Sequence, residues 1–62
     1  MSGYYYVKNS IDSINEYCNN PSEYKSNLFQ GAINDALVHY EQGNASKEWY
    51  ENVVRTLTPY LN

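Results

Sequence analysis

The sequence predicts an all-α domain, a small bundle of three helices with an extended N-terminal arm. Two observations carry this prediction. Asn19-Asn20-Pro21 and Gly43-Asn44 break the chain into three segments, and apolar residues recur at helical spacing in each segment. A chain of 62 residues allows a single domain, 1–62, with a thin core. We expect helices at about 10–19, 22–42 and 46–58.

The first segment opens with Tyr4-Tyr5-Tyr6-Val7, which has the residue types of a strand but finds no second strand to pair with. We therefore interpret it as an extended arm or as the frayed start of a helix. From Ser10 onward, with Asn9 or Ser10 as N-cap, apolar residues share one narrow face of a short helix. They are Val7, Ile11, Ile14 and Cys18.

The second segment is predicted to form the long central helix, with Ser22 as N-cap after Pro21 and Gly43 as the terminator. Its apolar residues cover more than half of the helix circumference, which is wider than the face of an ordinary surface helix. This width indicates either packing against both neighbours or a face left for a partner. These apolar residues are Tyr24, Leu28, Phe29, Ala32, Ile33, Ala36, Leu37 and Tyr40.

The third segment is predicted to begin at Ser46 as N-cap and to end near Thr58, because Pro59 cannot continue a helix. Its apolar residues lie within one arc at the helical repeat, which is typical of a helix with one buried face. They are Trp49, Tyr50, Val53, Val54, Leu57, Tyr60 and Leu61.

Two residue pairs could carry chemistry, and for each a structural role is the stronger interpretation. Asp35 could orient His39 one turn later, but no third group at workable spacing completes a catalytic or metal site. Cys18 with His39 could form a nucleophile and its base, but Cys18 continues an apolar face and is expected in the core. We predict no catalytic, cofactor-binding or metal-binding residues, and no enzyme activity.

Composition narrows the kinds of partner. Seven acidic residues against four basic ones give a net charge of −3, and the scattered basic residues form no stripe for nucleic acid. A single cysteine and the absence of a signal peptide or a long apolar run indicate a cytoplasmic protein that does not enter membranes. The basic residues are Lys8, Lys25, Lys47 and Arg55.

Aromatic residues are the unusual feature, at ten of the 62 residues. A thin core cannot hold them all, and tyrosine and tryptophan are enriched at protein interfaces. We therefore predict an interaction module that binds a protein partner or a second copy and takes no small-molecule substrate. A regulator or inhibitor encoded by a phage or mobile element fits this prediction, with a helix-turn-helix DNA-binding regulator as the alternative. The predicted partner-binding residues are Tyr4, Tyr5, Tyr6, Leu37 and Tyr40.

Overall fold

Within residues 2–61 the chain forms three α-helices, with short 3₁₀ turns between the first two helices and after the third. The structure, a computed structural model, describes the backbone of residues 2–61 and the side chains of residues 5–61. No strand occurs within residues 2–61, so the all-α prediction is confirmed. The helices are α1 (Ser2–Asn19), α2 (Phe29–Glu41) and α3 (Lys47–Leu57), and the 3₁₀ turns are Pro21–Glu23, Ser26–Leu28 and Thr58–Tyr60.

Helix α1 begins earlier than the sequence predicted and is the longest helix, with 18 residues against 13 in α2. The prediction of a short first helix and a long central one was therefore wrong. Residues 5–9, for which an arm or a frayed helix start was expected, lie in the first turns of α1. No proline or glycine interrupts residues 4–19, so the helix continues through them.

The segment between α1 and α2 forms two 3₁₀ turns where the sequence predicted the first turns of helix 2. Ser22 does not act as an N-cap, and the backbone of Tyr24 and Lys25 is extended. The Tyr24 ring packs edge-on against Tyr17 of α1, with centroids 4.8 Å apart. This contact favours an extended path over the helix that the local pattern indicated, because tertiary packing overrides weak helix propensity.

The turn between α2 and α3 agrees closely with its prediction. Gly43 has φ +79°, its N–H bonds to Tyr40 O, and the Asn44 N–H bonds to His39 O at 2.8 Å. This hydrogen-bond pattern is a Schellman motif, which ends a helix with a glycine in the left-handed conformation. Ser46 then caps α3, since its Oγ accepts a hydrogen bond from the Trp49 N–H at 3.1 Å. Both helix ends were predicted from these two residues.

The three helices enclose a small core. Ring contacts join Phe29 to Tyr60 at the start of α2 and Tyr40 to Tyr50 at its end, so α2 and α3 run antiparallel. Helix α1 also runs antiparallel to α2, because Tyr17 contacts Phe29 whereas the earlier residue Ser10 contacts His39. The fully or almost fully buried apolar residues are Ile14, Phe29, Ala32, Ala36, Val53 and Leu57.

Candidate interaction surface

The tyrosines near the N-terminus are largely exposed. Tyr5 and Tyr6 lie in the first turns of α1 with 62% and 61% of their surface accessible. The Tyr6 ring borders His39 at a centroid distance of 6.4 Å, so one side of it rests on the bundle. The side chain of Tyr4, the third residue of this predicted binding group, lies outside the described residues. Two large amphipathic rings are thus available for contact at this end of α1.

Leu37 and Tyr40, the other two residues predicted to bind a partner, have different environments. Leu37 is 37% exposed at the edge of α2. Tyr40 is half-buried and stacks on Tyr50 of α3, with centroids 5.7 Å apart and planes inclined by 7°. Much of the Tyr40 ring surface is therefore used in packing α2 against α3. Tyr6 approaches α2 from the side of α1, whereas Tyr40 packs on the side of α3.

Aromatic rings at the opposite end of the bundle form a connected row. Tyr24, Tyr17, Phe29 and Tyr60 follow one another at centroid distances of 4.8, 5.8 and 6.1 Å. Phe29 is fully buried, whereas Tyr24 and Tyr60 at the two ends of the row are 36% and 42% exposed. These four rings connect all three helical segments, so part of the high aromatic content serves the packing of the fold.

The structure also exposes apolar residues that sequence patterning had placed on buried faces or had not considered. Leu28 is 42% exposed and Val38 is 44% exposed, on α2 or directly before it. Val38 lies outside the apolar arc of the segment and was not singled out. Its helical position, half a turn from the buried Ala36 and nearly opposite Phe29, is the signal that could have identified it.

The imidazole of His39 is almost fully buried between α1 and α2, with 3% of its surface exposed. Its Nε2 lies 2.9 Å from Ser10 Oγ, and its Nδ1 has no hydrogen-bond partner among the described residues. The sequence had paired His39 with Asp35, but Asp35 is exposed and makes no such bond. The pairing partner of His39 is thus a residue 29 positions earlier in the chain. Its burial gives His39 a role in packing.

Cys18 packs against the core from the second half of α1. Burial raises the pKa of the Cys18 thiol above its ordinary value, which disfavours the reactive thiolate. Cys18 also lies eight residues beyond Ser10, the contact of His39, and eight residues span about 12 Å of helix. The geometry therefore does not form a nucleophile and base from Cys18 and His39.

The described charges form no basic stripe. Lys8 Nζ lies 2.8 Å from Asp12 Oδ2, and Lys47 Nζ lies 4.0 Å from Glu51 Oε2. Arg55 Nη2 donates to Asn52 Oδ1 at 3.0 Å. These cations lie beside polar or acidic partners on α1 and α3, an arrangement that favours no phosphate-binding surface.

Within residues 2–61 the structure shows no ligand pocket and no cluster of three or more histidine, cysteine, aspartate or glutamate residues that could hold a metal ion. None of the helices described has the length and apolar character needed to cross a bilayer. In comparisons with protein-family models, curated proteins and solved structures, nothing matches this chain.

Proposed function

We propose that this chain is a small acidic protein-interaction module that acts when bound to a protein partner or to a second copy of itself. The observation that carries the proposal is the exposure of large apolar and aromatic side chains on a domain of only 62 residues. Exposed apolar patches of more than a few hundred Å² are uncommon on soluble monomers and mark interaction sites. The exposed residues are Tyr5, Tyr6, Tyr24, Leu28, Leu37, Val38 and Tyr60.

The N-terminal tyrosines and Leu37 are the residues that we propose contact the partner. A tyrosine ring supplies a large, rigid contact area at low entropic cost, and its hydroxyl can bond to polar atoms at the edge of an interface. Tyr5 and Tyr6 retain most of their surface for this purpose. Tyr40 contributes mainly by fixing α2 against α3, so its removal should affect folding as well as binding.

A regulatory or inhibitory role in the cytoplasm agrees with these features. A chain with one cysteine forms no intramolecular disulfide, and cytosolic proteins generally lack disulfides. The excess of tyrosine and asparagine, whose codons are AT-rich, fits a phage or another mobile element as the source. A DNA-binding role has no supporting surface, since the described cations are dispersed.

Affinity capture with matched variants tests this function. Wild type is compared with Leu37→Glu and with Tyr5→Ser/Tyr6→Ser, all shown by circular dichroism to be helical. We expect one protein, or the chain itself, to be recovered with wild type and to be reduced at least about tenfold with either variant, since interface hot spots are commonly worth more than 1.4 kcal/mol. Equal recovery with wild type and both variants would refute the assignment of these residues.

A further inference from the structure

Helix α2 has an outer face that is exposed along its length. Phe29, Ala32, Ala36 and His39 point inward, and the opposite side of the helix presents residues at successive turns. We call this side the outer face of α2. It consists of the exposed residues Gly31, Asn34, Val38 and Glu41, with the exposed Asp35 at its edge, one turn before the buried His39.

Gly31 is unfavourable for the stability of α2 when the chain is considered alone. Glycine lowers helix stability relative to alanine, because it loses more backbone entropy on folding. A Cβ placed at Gly31 would meet no atom within 4 Å, and the residue has no positive φ that would require glycine. Neither packing nor backbone conformation within the chain accounts for it. A bare backbone at this point would let another chain approach α2 closely.

The acidic residues of the outer face are also unfavourable for the isolated chain. Glu41 lies in the last turn of α2, where the negative end of the helix dipole repels a carboxylate. No described cation lies within 4.0 Å of the Glu41 or Asp35 carboxylate. The only basic residue of α2 is His39, which is buried. Two acids therefore flank the exposed Val38, and neither has a cation within 4.0 Å in the described part of the chain.

We propose that the outer face of α2 binds a basic helix of a partner protein. Gly31 allows the partner helix to come close, Val38 packs against its apolar side chains, and Asp35 and Glu41 pair with its lysine or arginine residues. The inference rests on the proposed interaction function and assigns a surface and a partner chemistry to it. A basic partner helix would account both for the glycine and for the two acidic residues on this face.

A second copy of the chain fits this face less well than a basic partner. In a symmetric dimer the same patch meets itself, which would place Asp35 and Glu41 near their own counterparts. Like charges across an interface cost free energy. The chain also carries a net charge of −3 and only four basic residues, two of which, Lys8 and Lys47, lie within 4.0 Å of its own acids. Charge complementarity therefore selects a basic helix from another protein.

The test uses an alanine-rich helical peptide that carries lysines along one side, with a control peptide that has glutamate in place of each lysine. Binding is measured by NMR titration of the isotope-labelled full chain. We expect the lysine peptide to shift the amide signals of Gly31, Asp35, Val38 and Glu41, and the glutamate peptide to shift none of them. Shifts of equal size with both peptides, or no shifts with the lysine peptide at about 1 mM, would overturn the proposal, since 1 mM is the weak limit of specific association.

Variants locate the binding. Asp35→Lys/Glu41→Lys should lower the affinity for the lysine peptide by about tenfold or more, because two attractive charge pairs become repulsive. The control Glu16→Lys/Glu23→Lys alters net charge equally on exposed residues elsewhere, and should weaken it by less than about threefold because solvent screens distant charges. Gly31→Ala should lower the affinity for the lysine peptide and raise the melting temperature of the chain. Equal losses in the two charge variants would overturn the proposal.

The outcome also separates this inference from the proposed function. Peptide shifts confined to Tyr5, Tyr6 and Leu37 would overturn the assignment of the outer face of α2 and would support the proposed interaction residues. The proposed function itself is decided by capture of the partner with the tyrosine and Leu37 variants, in which the peptide takes no part. A captured partner whose binding is unaffected by Asp35→Lys/Glu41→Lys would likewise overturn only the inference.

Discussion

His39 Nε2 lies 2.9 Å from Ser10 Oγ and joins α1 to α2 within an almost fully buried interface. Ser10 had been predicted to cap a helix, yet it lies in the middle of α1 and provides the only hydrogen-bond partner of the buried imidazole among the described residues. A second long-range polar contact of α1 is the hydrogen bond that Trp49 Nε1 donates to Asn15 Oδ1 at 2.7 Å. These two polar contacts help to position α1 against α2 and α3.

The first prediction concerns the Ser10 and His39 pair. Ser10→Ala leaves both ring nitrogens of His39 buried without a partner in the chain, and we expect a loss of about 1–3 kcal/mol in unfolding free energy. Adding His39→Leu removes the unpaired group. The double variant should therefore lose less than the sum of the two single variants, by about 1 kcal/mol in a urea-unfolding cycle. A strictly additive cycle would contradict the contact.

The second prediction concerns Trp49, which packs against the core and bonds to Asn15. Trp49→Ala should cost about 3 kcal/mol, the low end for truncation of a large aromatic, because the ring is only half-buried. This loss is comparable with the whole stability of a domain of this size, so the variant should be largely unfolded. Trp49→Phe keeps an aromatic ring but loses the hydrogen bond and part of the ring area, and should cost at least about 1 kcal/mol. A Trp49→Ala chain that melts within a few degrees of wild type would show that the ring contributes little to packing.

The third prediction concerns Gly43, whose φ of +79° places it in the left-handed region. Gly43→Ala should destabilise the chain by about 1–2 kcal/mol, the conformational cost of an L side chain in that region. The loss is purely conformational, because an added Cβ would meet no atom within 4 Å. Gly43→Asn should cost less, since asparagine tolerates this conformation better. Thermal melts of the three proteins give the order, and equal melting temperatures for wild type and Gly43→Ala would contradict it.

The fourth prediction concerns the Cys18 thiol, whose pKa burial raises above the ordinary value. A thiol with a raised pKa in the folded state resists ionisation that the unfolded chain undergoes freely. Stability is therefore unaffected below the unfolded-state pKa of about 8.5 and falls as pH rises above it. Labelling by Ellman's reagent at pH 8 should be slower in the folded chain than in urea. Cys18→Ala should lose this part of the pH dependence, and equal labelling rates in the two states would contradict the burial of the thiol.

The helix ends that were predicted correctly depend on strictly local chemistry. Gly43 ends α2 through its own backbone conformation, and Ser46 caps α3 with its own side chain. The start of α2 could not be predicted in the same way, because the Tyr24 ring is drawn to Tyr17. That contact lies between different elements, and the spacing of apolar residues within one segment does not reveal it.

The candidate surface was predictable only in part for a similar reason. Tyr5 and Tyr6 lie outside the apolar pattern of the first segment, and their exposure follows from that position. The stacking of Tyr40 on Tyr50 depends on how α2 and α3 pack, and the exposure of Val38 depends on which side of α2 the other helices cover. The Ser10 partner of His39 likewise required the antiparallel alignment of α1 and α2.

Fluorescence-detected sedimentation velocity tests the central claim, that this chain acts in association with another protein chain, most directly. The chain carries a fluorophore at its C-terminus and is followed at high micromolar concentration in buffer and at trace concentration in host-cell extract. We predict a species larger than the 7.2 kDa monomer in at least one of the two conditions, and its loss in the helical Leu37→Glu variant. Sedimentation of the wild-type chain as a monomer in both conditions would contradict the claim.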